Sequence, residues 1–227
     1  MKVAVMFSGG KDSTQAVKWC LDNKHEIIAL IAVKPKNTEA YLYHYATVEW
    51  TPLSATAMDI PLVLLKTDKT SPEQEAKELE KVFKRIEADT VVLGGVGLQK
   101  TQIKAIEKIA KKFKMSVLVP YENTDHYELI KDAIKSGFDI RITQVAVDGL
   151  DADWLGKKLD LNSLRELKRL SEKFGFHIGA EGGHYDTFVV DAPMFKKKIE
   201  FVDSRKVWDN KTNSGYLEVT EAKLVPK

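Results

Sequence analysis

The chain reads as an α/β protein: a doubly wound, mostly parallel sheet followed by a smaller α+β lobe at the C-terminal end. Two observations predict the sheet. The strand-like runs of the first half are continuous apolar stretches, as parallel strands covered on both faces require, and amphipathic helices alternate with them. A third observation predicts the lobe: past Pro120-Tyr121 the pattern shifts to alternating strands and hairpin turns. The boundary is therefore expected near residue 121, with one unit over 1–121 and a second over 122–227.

The expected strands of the first unit are Lys2–Phe7, Glu26–Val33, Leu62–Lys66, Thr90–Gly94 and Ser116–Val119. Ser71-Pro72-Glu73-Gln74 supplies an N-cap Ser, Pro at the first helical position and Gln at the capping-box position. Leu79, Val82, Phe83 and Ile86 continue that helix at helical spacing. Ile103, Ile106, Ala110 and Phe113 mark a second helix with Lys and Glu opposite, and Tyr41–Met58 is expected to hold another. In the second unit Asp125 caps a helix running through Ser136, and Phe138–Val147 alternates as a strand. Leu161–Phe174 is a helix opened by Asn162 and closed by Gly175. The remainder reads as hairpins built from Thr187–Val190, Lys196–Val202, Lys206–Asp209 and Tyr216–Leu224, the last two joined by an Asn/Ser/Gly turn.

Composition narrows the class. The 227 residues are 44% hydrophobic and 30% charged, as in a globular protein with a real core. Thirty-five basic against 33 acidic residues leave a net charge of +2, so a nucleic-acid partner is not expected. No apolar run approaches the roughly 20 residues of a membrane span. MKVAV leads straight into the first strand, so no signal peptide is expected and a cytoplasmic location is. The single cysteine, Cys20, excludes an internal disulfide or a multi-cysteine zinc site and reads as a small buried hydrophobe. Abundant Lys and Glu with little Cys fits a thermophile source.

The stretch that carries chemistry follows the first strand: Ser8-Gly9-Gly10-Lys11-Asp12-Ser13. It fails the Walker A pattern, since Val5 stands where the first Gly belongs and Asp12 where the hydroxyl belongs. It fails the dinucleotide fingerprint too, with Lys11 and Thr14 at the later glycine positions; Gly95-x-Gly97 is only a fragment of one. The residue types still point to an anion. Two glycines let backbone N–H groups approach closely, Ser8 and Ser13 add hydroxyls, Lys11 adds charge, and the helix start adds its dipole.

Ser8–Ser13 resembles the signature of the PP-loop, or N-type, ATP pyrophosphatases, whose fold is that of the adenine nucleotide alpha hydrolases. The resemblance implies that the loop grips the β,γ-pyrophosphate of ATP as a leaving group and exposes the α-phosphorus to attack. It implies that Asp12 places Mg2+, that Lys11 offsets charge on the leaving group, and that Gly94-Gly95 and the end of the second strand around Ala32 border the rest of the nucleotide.

Further along, Glu181-Gly182-Gly183-His184-Tyr185-Asp186-Thr187, continuing to Asp191-Ala192-Pro193, resembles the Glu-Gly-Gly-Glu-Tyr-Glu-Thr motif of the diphthine–ammonia ligase family. Tyr43-His44, Gly94-Gly95-Val96, Lys100–Glu107 with Gln102, and Val119-Pro120-Tyr121 resemble it more loosely, so the likeness spans nearly the whole chain. It implies an AMP-forming amide ligase that activates the carboxylate of diphthine on elongation factor 2 and passes it to ammonia, giving diphthamide, AMP and pyrophosphate. Since the chain starts at the loop, free ammonia is the expected nitrogen source. Lys11, Asp12, Glu181, His184 and Asp186 would be catalytic, and His44, Gln102, Gly182, Gly183, Tyr185 and Thr187 would meet the substrate. The chain departs from the motif at His184 and Asp186, and Ile103 and Ala105 stand where arginines are usual. These changes spare the ATP loop, and the charged-to-apolar ones would alter contacts to an anionic or protein substrate.

Read from the residues themselves, Glu181, His184 and Asp186 could orient ammonia or take up its proton. His44 touches nucleotide or substrate, or is structural. His126 and His177 read as ordinary packing or surface residues, Lys196–Lys198 as a solvated face or a dock for an acidic partner, and Trp50, Trp154 and Trp208 as core or lobe-interface residues. Two other readings stay open: a PP-loop tRNA-modifying or thiolating enzyme, and a non-catalytic ATP-binding regulatory module. A homodimer stays open as well.

Overall fold

A computed structural model describes residues 1–35, 47–68, 72–95 and 100–227. The apolar runs of the first half form β1 (Lys2–Met6), β2 (Glu26–Pro35), β3 (Leu62–Thr67), β4 (Thr90–Leu93) and β5 (Ser116–Leu118). All four pairings are parallel, in the order β3-β2-β1-β4-β5. Alternate side chains leave opposite faces of the sheet. Val3 and Val5 of β1 enter one core with Val17 and Cys20 of α1 (Lys11–Asp22) and Ala55 of α2 (Thr51–Met58). Ala4 enters the other, with Ala76 of α3 (Pro72–Glu78), Phe83 of α4 (Glu80–Phe83), Ile106 and Ile109 of α5 (Lys100–Lys112), and Leu79 between α3 and α4. The sheet is thus covered on both faces, which is why its strands read as unbroken apolar runs. Strand order reverses between β1 and β4, and the loops leaving their carboxyl ends flank that switch point, where ligands bind in such sheets.

The second half contributes α6 (His126–Lys135), β6 (Asp139–Val145), α7 (Leu161–Phe174), β7 (Tyr185–Asp191), β8 (Lys198–Asp209) and β9 (Ser214–Val225). Its antiparallel sheet runs β7-β6-β9-β8. Ile130, Ile140, Ile142, Tyr185 and Phe188 belong to the same buried cluster as Val3 and Val17, so the two sheets share one core. Trp154 is buried in it, while Trp50 and Trp208 are partly buried against it.

Three expectations need correction. The helix expected to run unbroken through Leu79 divides there: Leu79 N–H bonds to Ala76 O and Val82 N–H to Leu79 O, the tighter i→i+3 pattern. Its expected cap, Ser71, lies outside the described residues. Helix α7 is opened by Asp160, not Asn162. The Asp160 carboxylate accepts the N–H groups of Asn162 and Ser163 at 2.9 and 2.8 Å, while Asp160 N–H donates to Ser163 Oγ at 2.7 Å, a reciprocal capping box. Lys196–Val202 and Lys206–Asp209 are not two strands. One strand, β8, runs through the polar Asp203-Ser204-Arg205, and a register shift at Asp203 absorbs them. Polar residues that read as a turn lie exposed on a long hairpin, with Thr220 Oγ1 donating to the Asp203 carboxylate at 2.5 Å.

Candidate active site

Phosphate loops work by aiming backbone N–H groups and a helix dipole at an anion. Helix α1 starts at Lys11 with no cap from its own N-cap residue; Thr187 Oγ1 takes the Lys11 amide, and the Asp12 and Ser13 amides, which lack intrahelical acceptors, remain for another partner. The loop hydroxyls are held loosely. Ser8 N–H and Ser8 Oγ each lie 3.3 Å from Ser13 Oγ, and Gly10 N–H lies 3.4 Å from Ser8 Oγ, all at or beyond the long end for a hydrogen bond.

The glycines have a second purpose that the sequence did not disclose. Gly9 sits at φ +81°, and a Cβ there would lie 2.4 Å from the Phe188 ring; one on Gly10 would lie 3.1 Å from Thr187 O. Val189 N–H donates to Gly9 O at 2.8 Å, and Lys11 N–H to Thr187 Oγ1 at 3.1 Å. Strand β7 therefore backs the loop, and the space freed by the missing side chains is filled by β7. What the glycines keep for an anion is their N–H groups. Gly94 is likewise a packing glycine: its Cβ would fall 2.5 Å from Ser13 Cα and 2.6 Å from Asp12 O. It seats the end of β4 against the first turn of α1. Ala32 is fully buried in β2 and presents no side-chain surface to a nucleotide.

Lys11 joins α1 to the turn that precedes β7. Its side chain is 3% exposed, and Nζ donates to Asp12 Oδ2 at 2.9 Å and to Gly179 O at 2.8 Å, 5.6 Å from the centre of the Tyr185 ring. Burial works against the charge, but Asp12, Tyr185 and Asp186 outweigh it, so the Lys11 ammonium lies above the ordinary lysine range. Burial pushes the Tyr185 phenol up to about 12. It stays neutral and donates to Ile178 O at 2.5 Å. The second carboxylate oxygen of Asp12 makes no hydrogen bond with the described residues.

Between α7 and β7 the chain makes two tight turns, with Ala180 N–H donating to His177 O and Gly183 N–H to Ala180 O. Ala180, Gly182 and Gly183 all have positive φ. For Ala180 that costs about 1 kcal/mol, a strain such sites often carry. The turns aim Glu181 back at α6: Glu181 Oε1 lies 2.8 Å from His126 Nε2 and 4.0 Å from His177 Nε2, and the two imidazoles meet edge-on at 4.4 Å. Gly179 makes this approach workable, since a Cβ there would sit 2.1 Å from His126 Nδ1. His177 N–H donates to His184 Nδ1 at 3.3 Å.

The structure thus brings Ser8–Ser13, Tyr185, Thr187 and the Gly179 carbonyl into contact, with Glu181, His184 and Asp186 on the same loop and strand. Gly182 and Gly183 are exposed at the tip of that loop. His44 lies outside the described residues, and Gln102 is described only as backbone within α5. His126 and His177, read from the sequence as packing or surface residues, are joined to Glu181. A cavity of about 770 Å³ near Met1, Lys24, Glu26 and Asp89 opens at the amino ends of the strands, away from this site.

Residues 1–117 match the family model described as diphthamide synthase N-terminal domain, and residues 125–225 the one described as diphthamide synthase C-terminal domain. The chain belongs to the diphthamide synthase family. A Bos taurus protein named diphthine–ammonia ligase is 32% identical over 252 residues, covering 100% of this chain and 94% of its own length. The Homo sapiens protein of that name is 32% identical over 229 residues, covering 91% and 85%. One from Schizosaccharomyces pombe is 30% identical over 238 residues, covering 96% of this chain and 39% of the longer yeast protein. A solved structure from Methanocaldococcus jannaschii, described as a predicted subunit of a tRNA methyltransferase, aligns over 85% of this chain with a TM-score of 0.46 and 14% identity, too slight a likeness to bear on function. No helix among the described residues is long and apolar enough to cross a membrane.

The diphthamide synthase family implies use of ATP, and the donor set at the start of α1 fits its phosphates. The Asp12 and Ser13 amides and the loosely held hydroxyls at the start of α1 suit phosphate oxygens. Asp12, with one carboxylate oxygen unengaged, is a hard donor of the kind Mg2+ takes. The Glu181–His126 contact had no signal in the sequence, because nothing in the spacing of His126 and Glu181 announces that α6 passes behind the Gly179–Gly183 turn.

Proposed function

We propose that this protein is an ATP-dependent, AMP-forming amide ligase that activates the carboxylate of diphthine on elongation factor 2 and transfers it to ammonia. The observation that carries this reading is the junction at Lys11. One side chain ties the loop suited to pyrophosphate to the turn preceding the Glu181–Thr187 motif, so the nucleotide end and the amide-forming end of one site share a wall. ATP supplies the leaving group that makes a carboxylate acylating, and Mg2+ on Asp12 would offset phosphate charge.

The residues divide the work. The α1 amides with Ser8 and Ser13 would hold pyrophosphate, and the charged Lys11 would stabilise it as it departs. Thr187 and Val189 keep the loop in place through their bonds to Lys11 and Gly9. Glu181 borders the space where ammonia would act. A thiolating activity is disfavoured by Cys20, which is buried with its thiol pushed up to about 12, the opposite of a reactive thiolate.

The test measures AMP and pyrophosphate released from ATP with ammonium and diphthine-bearing elongation factor 2, for the wild type and Lys11→Ala. The wild type should release both in step with amide formation, and Lys11→Ala should lose at least about a hundredfold in rate. Tight ATP binding without release in the presence of acceptor would sink the ligase reading and favour a regulatory module.

A further inference from the structure

We propose that Glu181 and His126 form the site that receives ammonium and removes its proton, with Glu181 as the base and His126 as the residue that positions it. This rests on the amide-ligase reading and specifies its second half-reaction. At neutral pH ammonia arrives almost entirely as ammonium, which has no lone pair and cannot attack. An enzyme using free ammonia therefore needs an anionic group to hold the cation and accept a proton beside the activated carboxyl carbon.

The geometry points to Glu181. Its Oε1 is engaged by His126 Nε2 at 2.8 Å, while Oε2 makes no hydrogen bond with the described residues and the side chain is 34% exposed. One oxygen is fixed and the other is open to a small cation. The turn that presents it is built for the purpose: Ala180 is held at φ +71°, and Gly179 leaves room for the imidazole that a side chain would block. The carbonyl of Gly179 receives Lys11 Nζ, which puts this turn against the residue expected to hold the leaving group.

The tautomers are set by the same contacts. With Glu181 ionised, the Nε2–H of a neutral His126 donates to Oε1. His126 is faced by Glu181 and His177 from the 177–183 turn and by Lys11 and Asp12 from α1. Burial, with His177 and Lys11, outweighs the carboxylates and holds its pKa below the usual histidine range, so it stays a neutral donor at pH 7. His177 accepts Gly179 N–H at Nδ1 at 3.2 Å, which leaves its proton on Nε2. That assignment argues against reading His126, His177 and Glu181 as a metal site, although their ligand atoms lie within 4.8 Å of one another. A metal would need the lone pair of His177 Nε2, and the hydrogen bond from Gly179 keeps a proton there.

The proton balance is then explicit. Ammonium gives one proton to Glu181 Oε2, which becomes a carboxylic acid. The freed nitrogen lone pair forms the C–N bond as the bond from the acyl carbon to the AMP oxygen breaks, and AMP leaves with that oxygen. Glu181 releases its proton through its exposed edge. The second proton lost by the nitrogen, once it is bonded to carbon, follows the same route.

The experiment compares ammonium with hydroxylamine, which is mostly unprotonated at neutral pH and needs no base to expose its lone pair. Rates of amide and hydroxamate formation are normalised to each protein's own acceptor-dependent exchange of labelled pyrophosphate into ATP. In His126→Leu the normalised ammonium rate should fall about tenfold further than the hydroxylamine rate, and its loss should shrink as pH rises. His126→Gln, whose side-chain amide can donate from nearly the position of Nε2, should restore most of the ammonium rate. Equal losses with both nucleophiles, or a Gln variant as poor as Leu, would overturn the proposal while leaving the ligase reading intact. A wild type with no acceptor-dependent exchange would overturn the ligase reading and this inference with it. Thermal unfolding of each variant separates a folding defect from either outcome.

Discussion

Gly94→Ala tests whether the loop after β4 serves the nucleotide directly or by packing. The added methyl would meet Ser13 Cα at 2.5 Å, Asp12 O at 2.6 Å and Ser13 N at 2.7 Å. All three are backbone atoms of the first turn of α1 and cannot rotate aside. Overpacking costs about 1–3 kcal/mol, and rigid neighbours place this case near the top of that range, about 3 kcal/mol. For a chain of this size each kcal/mol lowers Tm by about 2–4 °C, so a drop of roughly 6–12 °C is expected without nucleotide. The only relief is to push α1 from β4, which displaces the amides expected to hold pyrophosphate, so ATP affinity should fall in parallel. Gly175→Ala is the control. Its φ is +77° with nothing within 4 Å, so it should cost only about 1 kcal/mol of backbone strain. Differential scanning fluorimetry with and without ATP, backed by urea unfolding, reads both effects. A Gly94→Ala protein as stable as the wild type but defective in ATP binding would refute the packing argument and make Gly94 a ligand contact.

Two further outcomes follow from buried groups. Cys20 has no exposed surface and a thiol pushed up to about 12, so a thiol reagent should modify it only as fast as the protein unfolds; labelling of native protein at a free-thiol rate would contradict its placement. His126 is held below the usual histidine pKa chiefly by burial, so the folded state binds fewer protons there than the unfolded chain. The stability it contributes is complete above about pH 6.5, the unfolded value, and is lost as pH falls towards the lower folded value. Urea unfolding across pH 5–8 should show that loss in the wild type and a smaller one in His126→Gln, and equal slopes would exclude His126 as the cause.

The parallel sheet was legible because both of its faces are covered by helices, so burial wrote itself into each strand as an apolar run. Helix caps were legible where one candidate stood alone, as at Asp125, whose side chain accepts Glu128 N–H. Asp160-Leu161-Asn162-Ser163 offered rival caps, and the choice fell to Asp160 because it engages both Asn162 and Ser163, a reciprocal arrangement that composition does not rank. The long β8–β9 hairpin was misread for a related reason. Its residues face solvent through much of their length, so the alternation that marks a half-buried strand is absent around Asp203-Ser204-Arg205, and polar residues read as turn formers.

The site divides along the same line between local and non-local causes. Ser8–Ser13 was legible because an anion loop is assembled from consecutive residues, and its failure of two familiar patterns was itself informative. Yet Gly9, Gly10 and Gly94 turned out to owe much of their necessity to Phe188, Thr187 and the first turn of α1, partners that no window around the loop contains. Glu181 was legible as part of a motif, but not why it works where it stands. That depends on Ala180 bending the chain back, on Gly179 clearing space, and on His126 arriving from a helix far upstream. A histidine judged alone is an ordinary residue; opposite a carboxylate with one oxygen still open, it becomes a means of setting which oxygen receives a proton. The chain carries His184 where the family motif has a glutamate, and His184 Nδ1 accepts the N–H of His177. That departure therefore ties the motif to the histidine that stacks edge-on against His126, giving the three imidazoles and Glu181 a common scaffold where this turn meets α6.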